Sequence, residues 1–173
     1  CTSLSDMGYD VTLIGRSKTN SSPLLPQPFK QKRIKCTFQK GMPFYIEYNL
    51  KLWWWLMSHK SNIIYSVDTD TLLPGVFTKI LKGKKLIVDA HEYFTEVPEL
   101  EGRSFVKFIW TTIENIGVPY ANIAITVNES LARIYTLKHK ISFHAIYNAP
   151  LKTDSYYDEK KAKGYLLYQG VLN

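Results

Sequence analysis

The sequence predicts an α/β fold in which a doubly wound, Rossmann-like parallel sheet carries helices on both faces. Short β-branched and apolar runs alternate along the chain with longer stretches of helical periodicity, the order typical of parallel strands joined by helices. Most of the runs are apolar at successive positions, as expected of strands that are covered on both faces. With 173 residues, the chain is long enough for one domain with a hydrophobic core.

Apolar runs mark the predicted strands of this sheet. They lie at 11–14, 63–67, 86–88, 123–127, 143–147 and 165–168, with a weaker run at 33–38. Turn residues or helical patterns separate them, so each run is expected to be one strand.

The helices are predicted from residues that repeat every three or four positions. In the segment 105–116 this spacing places the apolar residues on one helix face. Further helices are predicted at 43–59, 71–81 and 129–137. Thr69 or Asp70 is the expected N-cap of the second of these, and Asn128 of the third, because short polar side chains accept hydrogen bonds from the first turn.

Both ends of the chain are predicted to be truncated. Residues 4–8 read as the last turns of a helix, but the strand and glycine turn that normally precede such a helix are not in the sequence. Residues 1–150 are therefore expected to form an N-terminal domain without its first strand. The polar segment 151–163 is predicted to be a linker, and 164–173 the first strand of a second domain.

Composition and charge narrow the class of protein. Hydrophobic residues make up 45% of the chain and charged residues 21%, as in a soluble globular protein. Cys1 and Cys36 have no metal-like spacing and fit a reducing compartment, so a cytoplasmic protein is expected. The net charge of +7 favours anionic partners such as phosphorylated substrates or an acidic membrane surface. Alternatively, these cations lie on solvated loops and helix ends.

Polar residues that follow the predicted strands are the candidate site residues, because open parallel sheets bind ligands beyond the carboxyl ends of their strands. Asp68 and Asp70 follow one strand, His91 and Glu92 the next, and Asn148 the run at 143–147. The segment DAHEYF, which begins with an aspartate and contains His91, is the densest. A histidine beside carboxylates suits substrate orientation or proton handling, whereas the alternative is a hydrogen bond to a backbone group. Caps and Asx-turns are the alternative for the two aspartates.

The remaining histidines and the sequence motifs give no sign of a metal or cofactor site. His59, His139 and His144 lack carboxylate or cysteine neighbours at ligand spacing and are predicted to be surface or strand residues. The chain has no Walker loop, HExxH, GxSxG or CxxC motif, and no second acidic cluster for a metal. We therefore expect neither a metal nor a cofactor.

Three adjacent tryptophans, at 53–55, lie in the helix predicted at 43–59. Successive residues of a helix point about 100° apart, so these side chains cannot all face one surface. One interpretation is a helix packed between the sheet and a neighbouring element. The other places a tryptophan and nearby lysines at a lipid headgroup layer, as a peripheral contact with the inner face of the cell membrane.

Five segments occur in a recognisable order. They read LSDMGYDVTLIGR at 4–16, VDTDTLLP at 67–74, VDAHEYFTEVPEL at 88–100, IYNAP at 146–150 and LYQGVLN at 167–173. Together they resemble family 4 (group 1) glycosyltransferases of the GT-B type. In that family the Asn-x-Pro segment ends the first domain and the Tyr-x-Gly strand opens the second. The resemblance covers nearly the whole chain.

The resemblance implies an enzyme with two Rossmann-like domains, the first holding the acceptor and the second a nucleotide-sugar donor. Such enzymes transfer the sugar without an essential metal, usually with retention of configuration, in envelope polysaccharide or glycoconjugate synthesis. His91 matches the family's active-site histidine. Asp68, Asp70, Glu92 and Arg103 lie where acceptor contacts are expected. The acceptor is often lipid-linked and phosphate-bearing, which agrees with the positive net charge.

The sequence departs from the family pattern because the glycine-rich turn and most of the second domain are not in it. The fragment alone is therefore not expected to catalyse sugar transfer or to bind a nucleotide sugar tightly. Two other functions stay open: a GT-B-fold epimerase acting on UDP-N-acetylglucosamine, and a non-catalytic binding module with a Rossmann-like fold. Nucleic acid is not an expected partner, since no aromatic and basic motif for it is evident.

Overall fold

The computed structural model describes residues 1–148, which form an α/β fold with two parallel sheets. A two-stranded sheet pairs β1 with β2, and a four-stranded sheet has the order β3-β4-β5-β6. The strands are β1 (Thr12–Ser17), β2 (Lys30–Lys35), β3 (Ile63–Val67), β4 (Lys85–Ala90), β5 (Ile123–Thr126) and β6 (Phe143–Ala145). Each strand predicted before residue 149 is confirmed, although the weak run at 33–38 forms its strand a few residues earlier.

Five helices accompany these strands in residues 1–148. They are α1 (Thr2–Asp6), α2 (Gly41–Ser58), α3 (Leu72–Lys82), α4 (Ser104–Gly117) and α5 (Glu129–His139). Each helix predicted from apolar spacing is confirmed with its ends shifted by at most two residues. The predicted linker at 151–163 and the strand predicted at 165–168 lie outside the described residues.

The caps of α3 and α5 differ. Asn128 caps α5 as predicted, because its Oδ1 accepts a hydrogen bond from the backbone N–H of Leu131 at 2.9 Å. The prediction that Thr69 or Asp70 caps α3 was wrong, since no side chain caps that helix. A single 3-10 turn, Thr69–Thr71, leads into α3, and the N–H of Leu72 donates to the carbonyl of Thr69 instead.

The hydrophobic core lies on one face of the four-stranded sheet. Ile64, Leu86 and Val88 point to this face, where α3 packs against β3 and β4. The approach of α3 depends on Gly75, because a Cβ atom there would lie 2.8 Å from Cδ1 of Leu86. Side chains alternate along a strand, so the neighbouring positions point to the opposite face.

That opposite face is exposed within residues 1–148. Four of its side chains retain 40–49% of their accessible surface: Ile63, Tyr65, Val67 and Ile123. The expectation of helices on both faces is therefore met on one face in this part of the chain. The physical reason is handedness: strands β3 to β6 advance in one direction, and right-handed connections then place α3, α4 and α5 on the same side.

A buried ionic cluster joins the ends of α4 and α5. Glu114 is 1% exposed, and its Oε1 lies 2.6 Å from Nζ of Lys138 and 3.1 Å from Nε2 of His139. Burial alone would raise the pKa of Glu114, but hydrogen bonds from His139 and Lys138 outweigh it and lower the pKa. The prediction of His139 as a surface or strand residue was wrong, because a buried carboxylate requires hydrogen-bond donors and α5 ends against it.

Candidate functional site

The segments that follow β3 and β4 are tied together where the two strands end. The N–H of Asp68 donates to the carbonyl of Asp89 at 2.8 Å, which extends the β3–β4 pairing by one bond. In return, Oδ1 of Asp68 accepts a hydrogen bond from the N–H of His91 at 2.9 Å. The structure thus brings together two predicted site residues, Asp68 and His91, at the carboxyl end of the sheet.

Asp89 connects the ring of His91 to a tyrosine of the neighbouring strand. Its Oδ2 lies 2.8 Å from Nε2 of His91 and accepts a hydrogen bond from the hydroxyl of Tyr65 at 2.6 Å. Burial raises the pKa of Tyr65, and the hydrogen bond to Asp89 raises it further, so the phenol stays protonated and donates. Tyr65, Asp68, Asp89 and His91 are called the strand-end cluster below.

The backbone of Asp68 has an uncommon conformation, with φ 56° and ψ 177°. Residues with a Cβ atom avoid this region, which is populated almost entirely by glycine. The hydrogen bonds from Asp68 to Asp89 and from His91 to Asp68 hold the chain in it. Strained backbone of this kind concentrates at functional sites, so this conformation supports a function for the strand-end cluster.

The two aspartates after β3 have raised pKa values. Burial raises the pKa of Asp68, although the N–H and the ring of His91 act in the opposite direction. Burial and the charge of Asp68 raise the pKa of Asp70 to about 6. The turn that carries Asp70 is attached to α2, since Nδ2 of Asn49 donates to the Asp70 carbonyl at 3.0 Å. A carboxyl group with such a pKa exchanges protons near neutral pH.

The charges of Asp70 and of two arginines act on Tyr45. The pKa of Tyr45 is raised mainly by burial and further by Asp70, whereas the charges of Arg16 and Arg103 lower it. The guanidinium of Arg16 lies 4.1 Å from the ring centroid of Phe44 and donates to a backbone carbonyl. Arg103 was predicted as a site residue, and the structure places its charge close enough to Tyr45 to affect the phenol.

The other two predicted site residues do not contact the strand-end cluster. Glu92 is exposed, and its carbonyl accepts a hydrogen bond from the hydroxyl of Tyr135 at 2.9 Å. Asn148 is exposed at the end of the described residues. Within residues 1–148, no hydrogen bond joins either side chain to the cluster. Their assignment as substrate-binding residues stays a prediction.

Four residues of this region were not predicted as site residues from the sequence: Tyr65, Asp89, Tyr45 and Arg16. Asp89 stood in the segment that was recognised as densest, and Arg16 follows a predicted strand, so position alone was a usable signal for both. Tyr65 gave no such signal, because it lies within an apolar strand. Its contact with Asp89 depends on the β3–β4 register, in which Tyr65 pairs with Ile87 and Val67 with Asp89.

The cluster lies on an open rim, and the cavity beneath it is small. A cavity of ≈ 10 Å³ extends below Asp68, which is space for about one water molecule. A larger depression of ≈ 270 Å³ lies between α5 and β6, lined by Arg133 and Phe143 among others. His91 lines neither the cavity nor the depression. Any ligand at the strand-end cluster is therefore bound from the open side.

Comparison with known proteins gave no family for this chain. No family model matches the sequence, and no curated protein matches it. In the part of the chain that the structure describes, no group of three or more histidine, cysteine, aspartate or glutamate side chains is arranged to hold a metal ion.

Proposed function

We propose that this chain is the acceptor-binding part of a GT-B-type glycosyltransferase. The whole enzyme would transfer a sugar from a nucleotide-sugar donor, held by a second domain, to a glycan or lipid-linked acceptor. The transfer is proposed to proceed with retention and without a metal, in cell-envelope or polysaccharide synthesis. The observation that carries the proposal is His91 at the carboxyl ends of β3 and β4, where Asp89 bonds its ring and Asp68 accepts a hydrogen bond from its backbone N–H.

The chemistry of the rim fits a ligand that carries hydroxyl groups. Sugar hydroxyls donate and accept hydrogen bonds, and the rim offers carboxyl oxygens on Asp68 and Asp70 beside the His91 imidazole. The His91 side chain is 43% exposed, so a ligand can reach it. The charges of Arg16 and Arg103 act on Tyr45, and such cations suit the phosphate of a lipid-linked acceptor.

The test is sugar transfer by the full-length protein, followed through release of the nucleotide from the donor. We expect His91→Ala to lower the rate by about 100-fold or more, as for loss of a group that positions or protonates a reactant. The control is His59→Ala, since His59 is exposed at the end of α2 and its ring stacks on Trp55. Equal rates for His91→Ala and the wild type would contradict a role for His91 at the reacting groups.

The same assay separates the two other functions that the sequence left open. A GT-B-fold epimerase would convert the sugar of UDP-N-acetylglucosamine and transfer none to an acceptor. A non-catalytic module would give neither product. Tight binding of a nucleotide sugar by the 173-residue chain alone would contradict the assignment of the donor site to a second domain.

A peripheral contact with an anionic membrane is part of the proposal. Three apolar side chains on the outer side of α2 are strongly exposed: Ile46 at 56%, Leu50 at 60% and Trp54 at 72%. They are spaced by four residues and so form one stripe. The buried stripe of α2, which contains Phe44, lies on the other side. Aromatic and apolar residues exposed in this way suit insertion at the headgroup boundary, at the inner face of the cell membrane.

Among residues 1–148, no helix is both long and apolar enough to cross a membrane. The neighbouring helix α3 also exposes apolar side chains, Phe77, Ile80 and Leu81, at 51–60%. The net charge of +7 supplies attraction to anionic lipid. The expected contact is therefore made by a surface and involves no spanning segment of the described residues.

A further inference from the structure

We propose that Asp89 is a positioning residue, which keeps the proton of the neutral His91 ring on Nε2 and leaves Nδ1 to accept a hydrogen bond from an acceptor hydroxyl. That this hydroxyl belongs to a sugar acceptor rests on the proposed function. The position of the ring proton depends on the strand-end cluster alone.

The first step concerns the oxygen that the two neighbours share. Oδ2 of Asp89 lies 2.6 Å from the hydroxyl of Tyr65 and 2.8 Å from Nε2 of His91. An ionised carboxylate only accepts hydrogen bonds. Tyr65 fills one acceptor position with its O–H, and the distance to Nε2 requires a hydrogen between these two atoms. The proton of the neutral ring therefore belongs on Nε2.

The second step concerns the nitrogen that remains. In a neutral imidazole, a proton on one nitrogen leaves a lone pair on the other. Within residues 1–148, Nδ1 of His91 makes no hydrogen bond, while 43% of the side chain is exposed. A hydroxyl group of a ligand is the type of donor that such a nitrogen accepts.

The third step concerns rigidity. Asp89 is less exposed than His91, with its side chain 11% exposed. The ring is thus fixed from one side by Asp89, and the backbone of the same residue is fixed by Asp68 through the His91 N–H. A side chain whose ring and backbone are both held loses little further freedom when a hydroxyl binds, which favours an oriented acceptor oxygen.

The tautomer is tested by long-range proton–nitrogen NMR correlation on the nitrogen-15-labelled 173-residue chain. At a pH where the ring is neutral, we expect Nδ1 of His91 to resonate as an unprotonated nitrogen and Nε2 as a protonated one. A wild-type ring protonated at Nδ1 would overturn the proposal without any variant. His59 serves as the internal reference, because its Nδ1 lies 2.9 Å from the carbonyl of Trp55 and is expected to carry the proton.

Substitution then identifies the cause. Asp89→Ala removes the acceptor of the Nε2 proton, so we expect the share of the protonated-Nδ1 form to rise above its wild-type value. Tyr65→Phe removes the competing donor and should leave Nε2 protonated. An unchanged tautomer in a folded Asp89→Ala variant would show that Asp89 does not set it. If that variant does not fold, Asp89→Glu, which keeps the carboxylate, is compared with the wild type and must retain the Nε2 proton.

Kinetics of the full-length protein separate this inference from the proposed function. We expect Asp89→Ala to lower kcat for sugar transfer by about tenfold to 100-fold, with the donor KM unchanged, because the hydroxyl is misoriented while the donor site is intact. If the tautomer changes as expected but neither His91→Ala nor Asp89→Ala affects transfer, the proposed function fails and the assignment of the ring stands. If His91→Ala abolishes transfer while Asp89→Ala affects neither readout, the role of Asp89 fails and the proposed function stands.

Discussion

At the scale of single residues, Asp70 shows how the rim of the sheet affects stability. Its carboxyl group is half-buried, and burial together with the charge of Asp68 raises its pKa to about 6. The folded state therefore binds a proton at Asp70 more tightly than the unfolded chain. Such a group contributes stability below the unfolded-state pKa, and this contribution is lost as the pH rises through the folded-state value.

Asp70→Asn should remove this pH dependence. We expect the variant to gain about 1 kcal/mol of unfolding free energy over the wild type at pH 7, and little at pH 4, after solvent screening of a partly exposed group is allowed for. Urea unfolding at both pH values measures the difference. Asp10→Asn is the control, since Asp10 pairs with Lys30 on the exposed surface. A constant difference between Asp70→Asn and the wild type from pH 4 to 7 would contradict the raised pKa.

The residues of the site were predictable to different degrees. His91 and Asp68 were found because they directly follow strands, and the structure joins them by a hydrogen bond. His139 was misjudged because its partner, Glu114, is 25 residues away on another helix. Tyr65 was missed for a related reason, since only the register of two strands places it beside Asp89. The local sequence identifies where strands end, but it does not show which residues of different elements are in contact.

At the scale of elements, α3 lies close against the sheet at Gly75. A Cβ atom on Gly75 would lie 2.8 Å from Cδ1 of Leu86 and 3.5 Å from Cγ2 of Ile64. Leu86 is fully buried, so it has little room to move. A larger residue at position 75 would force α3 away from β4, and the turn that carries Asp70 precedes that helix directly.

Gly75→Ala should therefore destabilise the protein even though alanine favours helix. Overpacking a core costs about 1–3 kcal/mol, whereas the gain in helix propensity is about 1 kcal/mol. We expect a net loss of about 1 kcal/mol in the free energy of unfolding, measured by urea denaturation. Gly15→Ala is the matched control, because no atom lies within 4 Å of its added Cβ and its φ is ordinary. An equal or higher stability for Gly75→Ala would show that Leu86 gives way.

The elements themselves were largely predictable. Apolar runs identified the strands before residue 149, and the spacing of apolar residues identified α2 to α5, because both patterns are local consequences of burial. The start of α3 was not predicted correctly. Thr69 and Asp70 have side chains that can cap a helix, but a 3-10 turn leads into α3 instead. The sequence does not show which of these two ways of starting the helix is used.

At the scale of the whole molecule, the surfaces that remain uncovered are the most informative feature. The described helices cover one face of the four-stranded sheet, and the outer side of α2 carries Ile46, Leu50 and Trp54 in the exposed stripe. The tryptophans were expected either to pack or to reach lipid. Trp54 is exposed whereas Trp53 and Trp55 are partly buried, so the three side chains divide between the two environments.

The membrane contact is tested by flotation of the chain with phosphatidylcholine vesicles that contain phosphatidylglycerol. We expect the wild type to float at low salt, and Leu50→Glu/Trp54→Glu to lose at least tenfold in binding, since burial of each side chain contributes about 1.5–3 kcal/mol. Leu137→Glu is the control, because Leu137 is 79% exposed on α5, outside the stripe. Absence of the wild type from the lipid fraction at low salt would contradict the contact.

The two sheets also have a consequence for handling the protein. Within residues 1–148, β1 pairs only with β2, and β3 pairs only with β4, so each has one free edge of backbone N–H and C=O groups. Beside the free edge of β3 lie Ile63, Tyr65 and Val67, all partly exposed. An open edge flanked by apolar side chains is a template for pairing with other chains. Pairing of these edges with other chains is therefore expected to limit the concentration at which this chain is handled.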